Sequence, residues 1–291
     1  MGKTTAAAAA ALALARKGRR VLLLSTDPAH SLGDALQVPV SDQEREVDPL
    51  LRARELDAAQ AFSSRRERYR AAVDELFETL RGGSSFDPAF DRVVVEDLID
   101  LAPPGIDELF GMLAVIEALG EDGPFDTVVV DTAPTGHALR LLQMPDAALE
   151  WAHTFMAILL KYRRVTGLGH LAKDLTDTAR ELRQFDELLR DPWRARFVAV
   201  THAAALPRLE TARLLTALRR LRVAAPAVLV NALTPPGCSR CRRAAAAEGR
   251  ELDLLRRARR GWAMLGAPRL APAPRGIAAL ARFGSTWKRI E

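Results

Sequence analysis

Cysteine is scarce in this chain: Cys238 and Cys241 are the only two among 291 residues. Two thiols cannot cross-link a small secreted fold, so a disulfide-rich scaffold is excluded. A chain of this length buries a large core without covalent links, as one α/β domain with room for an insertion.

Long apolar runs are missing as well, since no stretch approaches the roughly 20 residues of a membrane-spanning helix. The alanine-rich run 6–15 superficially resembles the apolar core of a signal peptide. Arginine and lysine fill most of 16–20 behind it, and a strand-like run follows directly. The sequence therefore predicts a soluble, cytoplasmic protein in which the alanine-rich run is an ordinary helix.

Aromatic residues make up only 5% of the chain, and its net charge of +5 comes mainly from arginine. High alanine and arginine usage is typical of a GC-rich coding sequence, so the basic balance is weak evidence for a nucleic-acid partner. A surface that binds single strands needs basic residues interleaved with aromatics, and no such stretch occurs. We expect no nucleic-acid partner.

Apolar runs of strand length do occur, and they alternate with helix-forming segments. The strongest are 21–24 and 127–130, each continuous as in strands buried on both faces. A short strand at 52–57 is predicted at the sheet edge. Further strands are predicted at 196–201, 226–231 and 268–270. This alternation predicts an α/β fold with a doubly wound, mostly parallel sheet.

Two mainly helical segments, about 57–121 and 145–190, interrupt the alternation. The first opens with a charged amphipathic helix. The second starts with the unusually apolar block 151–160 and contains a predicted loop at 167–169. We interpret both as a helical insertion or subdomain within a single domain spanning 1–291.

Gly2-Lys3-Thr4 opens the first helix and matches the second half of the phosphate-binding loop G-x-x-x-x-G-K-[ST]. In such a loop, backbone N–H groups and the helix N-terminus hold the phosphates. Lys3 would reach the β- and γ-phosphates, and the Thr4 hydroxyl would ligate Mg²⁺. The first half of the loop and the strand that leads into it are missing ahead of Gly2.

Acidic residues follow both strong strand runs. Asp27 lies in Ser-Thr-Asp-Pro-Ala-His-Ser-Leu after the first run, and Asp131 opens Asp-Thr-Ala-Pro-Thr-Gly-His after the second. Ligands of open α/β sheets bind at the carboxyl ends of strands, where these acids stand. Each acid could instead shape its own loop, because Asp-Pro is a common turn opener. Two acids that end core strands beside a P-loop favour a nucleotide site.

Together, the three motifs resemble the family of arsenite-pump ATPases and tail-anchored-protein-targeting ATPases, within the deviant-Walker class of dimeric P-loop ATPases. The resemblance extends over nearly the whole chain, including 104–108, the strand ending at Asn231, the Cys-x-x-Cys and Arg275-Gly276. It implies a homodimeric ATPase that binds ATP and Mg²⁺ and whose nucleotide state opens and closes the dimer.

The resemblance also implies roles for single residues at the phosphates. Gly2, Lys3, Thr4 and Thr5 would bind them, with Thr5 at the α-phosphate. Lys3 and Asp27 are the candidate catalytic residues: Lys3 would neutralise phosphate charge, and Asp27 would orient and polarise the attacking water. The Thr4 oxygen would ligate Mg²⁺, and Asp131 would hold it through water.

Three further roles follow from the resemblance. Asn231 would recognise adenine through side-chain hydrogen bonds, and Pro272, in the loop 272–274, would lie beside the base. Cys238 and Cys241 have the spacing of half a tetrahedral zinc site, which needs about four ligands. Two such pairs would complete a Cys₄ zinc site across a homodimer; a redox pair or an unused relic are the alternatives.

Two departures separate this chain from the family pattern. The family loop begins Gly-Lys-Gly-Gly-Val, and its first lysine reaches the nucleotide of the partner subunit; here Met1 stands where the valine would be. We expect either a true start further upstream or a truncated, non-hydrolysing regulator. Alanines fill 203–205, where relatives usually carry an acid near the nucleotide, so one nucleotide contact is expected to be missing.

The sequence leaves several alternatives for the process that ATP hydrolysis would drive. It would drive a membrane pump of the arsenite or anion type, or deliver a hydrophobic membrane-protein client as a targeting chaperone for tail-anchored proteins. Trivalent arsenic prefers three thiolates, and both thiols here are better assigned to zinc. The block 151–160 could line a groove for a client helix or be ordinary core. A partition or division ATPase would need a terminal membrane-binding helix or a DNA-binding face, and 285–291 is too short for either.

Overall fold

The structure, a computed structural model, describes residues 2–27, 31–57, 112–120, 123–132, 135–159, 168–258 and 261–290, together with the single positions 63, 67, 70, 71, 74 and 109. The chain divides into two compact units. The first unit comprises residues 1–56, 118–139 and 188–291, and the second comprises 57–117 and 140–187.

The strands of the first unit form two four-stranded sheets. The first sheet has the order β2-β3-β1-β4, with bounds β1 Val21–Ser25, β2 Arg45–Asp48, β3 Leu51–Glu55 and β4 Thr127–Asp131. The second has the order β5-β6-β7-β8, with bounds β5 Val198–His202, β6 Ala227–Leu233, β7 Ala263–Pro268 and β8 Lys288–Arg289. Pairing is parallel except for β2 with β3 and β7 with β8. The predicted α/β fold with mostly parallel strands is confirmed.

The helices of the described residues lie in both units. In chain order they are α1 Lys3–Ala15, α2 Ser31–Leu36, α3 Ala114–Leu119, α4 Thr135–Leu159, α5 Leu168–Arg190, α6 Ala205–Arg220, α7 Ser239–Arg257 and α8 Ile277–Ser285. Among the described residues, no helix combines the length and the apolar character needed to cross a bilayer.

The core of the first unit forms around α1. One of its faces packs on β1 and β3 through Ala8, Ala11 and Leu12, and Leu280 of α8 joins the same cluster. Ala6 and Ala9 pack instead with residues of β6 and β7. Small side chains let α1 lie close to its neighbours, and Gly284 of α8 has the same effect: a Cβ there would stand 3.2 Å from the carbonyl oxygen of Ala9.

Several element boundaries differ from the sequence-based prediction. The strand predicted at the sheet edge, 52–57, is the interior strand β3, because the unpredicted strand β2 pairs with it on the outside. The strand predicted at 268–270 is β7, which ends at Pro268. In place of a loop through 167–169, α5 already begins at Leu168, and α4 continues through Pro145.

In the second unit, α5 buries an apolar stripe that includes Leu175, Leu182 and Phe185. Its contacts with α4 include Arg183 Nη2 donating to His153 Nε2 at 3.0 Å. The block 151–160 begins with the buried side chain of Trp151, which supports core packing at that position. The charged amphipathic helix predicted at the start of the segment 57–121 lies mostly outside the described residues.

Candidate functional site

Three strands end together at one edge of the first sheet. β1 pairs in parallel with β3 and β4, and the register sets Ser25 opposite both Glu55 and Asp131. The pairing continues past the strands, because Thr26 N donates to Asp131 O at 3.0 Å. Two carboxylates therefore meet where β1 leads into Asp27.

The N-terminus of α1 lies at the same edge. The Thr4 hydroxyl and the charges of Lys3 and Asp27 all act on the Asp131 carboxylate. Thr4 Oγ1 also lies 3.1 Å from Ser31 Oγ at the start of α2. The structure thus brings together four of the predicted site residues, Lys3, Thr4, Asp27 and Asp131.

Asp131 is the most perturbed acid of this cluster. It is 2% exposed, and its Oδ2 has no hydrogen-bond partner in the described part of the chain. Burial raises the pKa of its carboxyl to about 6; the Thr4 hydrogen bond and Lys3 oppose the rise, and the charges of Asp27 and Glu55 add to it. A buried acid with an unsatisfied oxygen is typical of a functional site.

The donor set at this edge fits Mg²⁺ and phosphate. Mg²⁺ prefers oxygen ligands from one or two carboxylates together with phosphate oxygens. Asp131 and Thr4 supply such oxygens side by side, and the orphaned Oδ2 of Asp131 is available to a water or an ion. Lys3 stands at the first position of α1, where the helix N-terminus favours an anion.

Asn231, near the end of β6, lies beside the start of α1. Gly2 has the left-handed backbone conformation, with φ 80°, and a Cβ at this position would collide with Asn231 Nδ2. Asn231 Oδ1 accepts a hydrogen bond from Ala232 N at 2.8 Å. Only glycine fits position 2, and Asn231 joins the cluster from the second sheet. Its contact with adenine stays a prediction.

Other predicted site residues lie apart from this cluster or are not tested by it. Pro272 is exposed in the loop between β7 and α8 and has a cis peptide bond with Ala271. Thr5 is half-buried in the first turn of α1. Their roles beside the base and at the α-phosphate stay predictions. Residues 28–30 of the loop after Asp27 lie outside the described residues.

The two cysteines adjoin the N-terminus of α7. Their sulfur atoms are 3.6 Å apart, with Cys238 exposed and Cys241 half-buried. Hydrogen bonds from the Cys241 backbone and thiol lower the pKa of Cys238, and the same thiol contact raises the pKa of Cys241. Across the described residues, no three His, Cys, Asp or Glu side chains are grouped to hold a metal ion. This pair alone supplies two of the roughly four ligands that a tetrahedral zinc site needs.

Glu55, which is buried at the end of β3, is a residue of this edge that was not predicted from the sequence. Its strand, Leu-Arg-Ala-Arg-Glu, alternates apolar and charged residues, as a half-exposed edge strand does. The available signal was position: an acid ending a predicted strand belongs at the same sheet edge as Asp27 and Asp131.

Comparison with known proteins decides the family. Residues 1–286 match the model of the anion-transporting ATPases. The chain belongs to this family. Its motif-based assignment to arsenite-pump and tail-anchored-targeting ATPases is therefore confirmed, and the family is one of ATPases.

Relatives in the family include proteins named GET3 ATPases and a protein named as an arsenical pump-driving ATPase. ATPase GET3B of Arabidopsis thaliana is 31% identical, covering 99% of this chain and 76% of the relative. ATPase GET3 of Komagataella phaffii is 29% identical, covering 97% of this chain and 85% of the relative. A putative arsenical pump-driving ATPase 2 of Aquifex aeolicus is 29% identical, covering 81% of this chain and 77% of the relative.

Proposed function

We propose that this member of the anion-transporting ATPase family is a Mg²⁺-dependent ATPase, with a single P-loop domain over 1–291 that includes the helical unit as a subdomain. The observation that carries the proposal is the buried, unsatisfied Asp131 oxygen beside Thr4 and Lys3. A carboxylate, a hydroxyl and an ammonium group at a helix N-terminus match the requirements of a metal-bound triphosphate.

Each residue of the cluster has a distinct role in this proposal. Gly2 shapes the turn into α1, so that the N–H groups of Lys3, Thr4 and Thr5 point at the phosphates. Lys3 neutralises charge on the β- and γ-phosphates. Thr4 and, through water, Asp131 hold Mg²⁺, which when bound would neutralise charge on the phosphate oxygens. Asp27 orients and polarises the attacking water.

Two roles lie further from the phosphates. Asn231 recognises adenine, and Pro272 lies beside the base. The position of Asn231 against Gly2 supports the first role, because it sets the amide next to the phosphate loop.

We expect Lys3→Gln to weaken ATP binding by about tenfold or more, because a charge-assisted hydrogen bond to phosphate is lost. The measurement is a titration with a fluorescent ATP analogue in the presence of Mg²⁺. Lys17→Gln is the matched control, because it removes the same charge just beyond the other end of α1, where Lys17 is exposed. Equal affinity of the two variants would contradict the role of Lys3.

The proposal extends to a cytoplasmic homodimer that opens and closes with nucleotide state through the loops 27–32 and 131–137. The Thr4–Ser31 hydrogen bond supports this coupling, because it connects a phosphate-binding residue to the end of the first loop. The dimer would energise a membrane pump or deliver a hydrophobic membrane-protein client. Relatives named for arsenical pump driving and for GET3 support these two kinds of work equally.

A cavity beside α4 bears on the proposal of a groove that binds a client helix. The described cavity along this helix, about 450 Å³, is lined by Asp146, Leu149, Glu150, His153, Thr154 and Ala157. Two of these side chains, Asp146 and Glu150, are carboxylates, which interrupt the continuous apolar groove that a transmembrane helix needs. This cavity alone therefore does not support delivery of a client.

We also propose that Cys238 and Cys241 of two subunits together bind Zn²⁺. The sulfur atoms stand 3.6 Å apart, close enough to share one tetrahedral ion, and two such pairs supply its four ligands. We expect the purified protein to contain roughly one zinc per dimer, and Cys238→Ser to lower both zinc content and dimer fraction. Elemental analysis and light scattering measure these quantities, with Ser239→Ala as control. An intact dimer free of zinc would contradict the assignment.

A further inference from the structure

Glu55 attaches the start of α2 to the first sheet. Its Oε1 accepts hydrogen bonds from Leu32 N at 2.9 Å and from Gly33 N at 3.2 Å. The first N–H groups of a helix have no partner within the helix, so an acceptor from elsewhere must satisfy them. A carboxylate does so most strongly, because it also interacts favourably with the helix dipole.

The attachment fixes a residue that contacts the candidate ATPase site. Ser31 immediately precedes the two residues held by Glu55, and its Oγ lies 3.1 Å from Thr4 Oγ1. The Thr4 hydroxyl in turn acts on the Asp131 carboxylate. Glu55 is therefore connected through the first turn of α2 to Thr4, which neighbours Asp131.

The other end of α2 has a different attachment. Gly276 N donates to Ala35 O at 2.8 Å, which connects the last turn of α2 to the loop before α8. The first turn, in contrast, is held by the buried end of β3, the neighbour of β1. Asp27 follows β1, and Ser31 begins the turn that β3 holds, so adjacent strands of one sheet position both residues.

We propose that Glu55 is a positioning residue of this site: its carboxylate fixes the first turn of α2 and thereby holds Ser31 against Thr4. This proposal rests on the proposed ATPase function. Glu55 acts through α2 and does not touch the nucleotide. A purely structural role would make Glu55 important for stability alone, with no effect on the metal-dependent part of nucleotide binding.

The test compares Glu55→Ala, Glu55→Gln and Ser31→Ala with the unchanged protein. Glu46→Gln is the matched control, since Glu46 is an exposed glutamate on the neighbouring strand β2. Hydrogen exchange of the Leu32 and Gly33 amides, measured without nucleotide, reports the attachment itself. Titration with a fluorescent ATP analogue, with and without Mg²⁺, reports how much Mg²⁺ strengthens binding.

We expect Glu55→Ala to speed exchange at both amides, and to reduce the Mg²⁺-dependent gain in affinity by about tenfold. Ser31→Ala should reduce that gain with little change in exchange. Glu55→Gln keeps an oxygen acceptor of the same reach, so it should recover most of both properties. Glu46→Gln should match the unchanged protein.

Two results would overturn the proposal. Faster exchange in Glu55→Ala with an unchanged Mg²⁺-dependent gain would assign Glu55 a structural role only. Loss of the gain in Glu55→Gln, with exchange still slow, would assign the effect to charge and not to positioning. If Glu55→Ala does not fold, Glu55→Gln and Ser31→Ala decide between the same outcomes. If the unchanged protein binds no ATP, the proposed function fails, and the exchange data still test the attachment.

Discussion

Asp131→Asn should make the nucleotide-free protein more stable at pH 7.5, by about 2 kcal/mol, while abolishing Mg²⁺-dependent ATP hydrolysis. Burial raises the pKa of Asp131 from 3.8 to about 6, so the ionised carboxylate is disfavoured in the folded protein. A pKa rise of that size lowers the free energy of unfolding by about 3 kcal/mol at neutral pH. Asparagine removes the charge and loses part of the Thr4 hydrogen bond, which reduces the gain.

The pH dependence has a definite sign. Between pH 4 and pH 6 the folded protein binds a proton at Asp131 that the unfolded chain has largely released, so the free energy of unfolding falls as the pH rises through this window. Above the pKa that Asp131 has in the folded protein, this loss of stability is complete. Chemical denaturation at pH 4.5 and pH 7.5 measures the fall in the free energy of unfolding, and Asp131→Asn should remove the part of the fall that Asp131 causes.

Asp126 provides the control for this experiment. It is an exposed acid whose pKa is lowered by its hydrogen bonds with Arg20, so its ionisation favours the folded protein. Asp126→Asn should therefore leave stability at pH 7.5 unchanged or slightly reduced, because exposed ion pairs contribute little. If Asp131→Asn behaves like Asp126→Asn, its carboxylate is not disfavoured by burial and the metal-site interpretation loses its physical basis.

The fold could be predicted where burial controls the residue pattern. The segment 21–24 is a continuous apolar run because β1 is buried along its whole length. The segment 127–130 of β4 is half-buried, and both strands were predicted to within one residue. β2 was missed because Arg-Glu-Val-Asp carries no apolar alternation. Its strand forms through pairing with β3, which is a tertiary contact that the local sequence does not encode.

The candidate site was predictable as far as strand ends and loop motifs define it. Lys3, Thr4, Asp27 and Asp131 each stand next to a helix start or a strand end, and parallel strands bring such ends to one edge. Glu55 was not predicted, because its use depends on the register between β3 and β1. The roles predicted for Pro272 and the cysteine pair involve a ligand or a second subunit, so the structure of a single chain does not test them.

Asp27→Asn should leave ATP binding nearly unchanged and slow hydrolysis by about 100-fold or more, the effect of losing a group that polarises water. Asp27 follows β1, and its N–H donates to Ser25 Oγ at 3.3 Å. That bond is made by the backbone, so asparagine retains it and keeps the loop in place. The substitution removes the charge and replaces one carboxylate oxygen by an amide NH2 group.

Phosphate release in single turnover measures hydrolysis, and a fluorescent ATP analogue measures binding. Asp34→Asn is the control, because Asp34 is an exposed acid on α2. Unchanged turnover would remove Asp27 from the mechanism. A parallel loss of affinity would make Asp27 a binding residue, because only a group that acts on the attacking water lowers turnover while ATP stays bound.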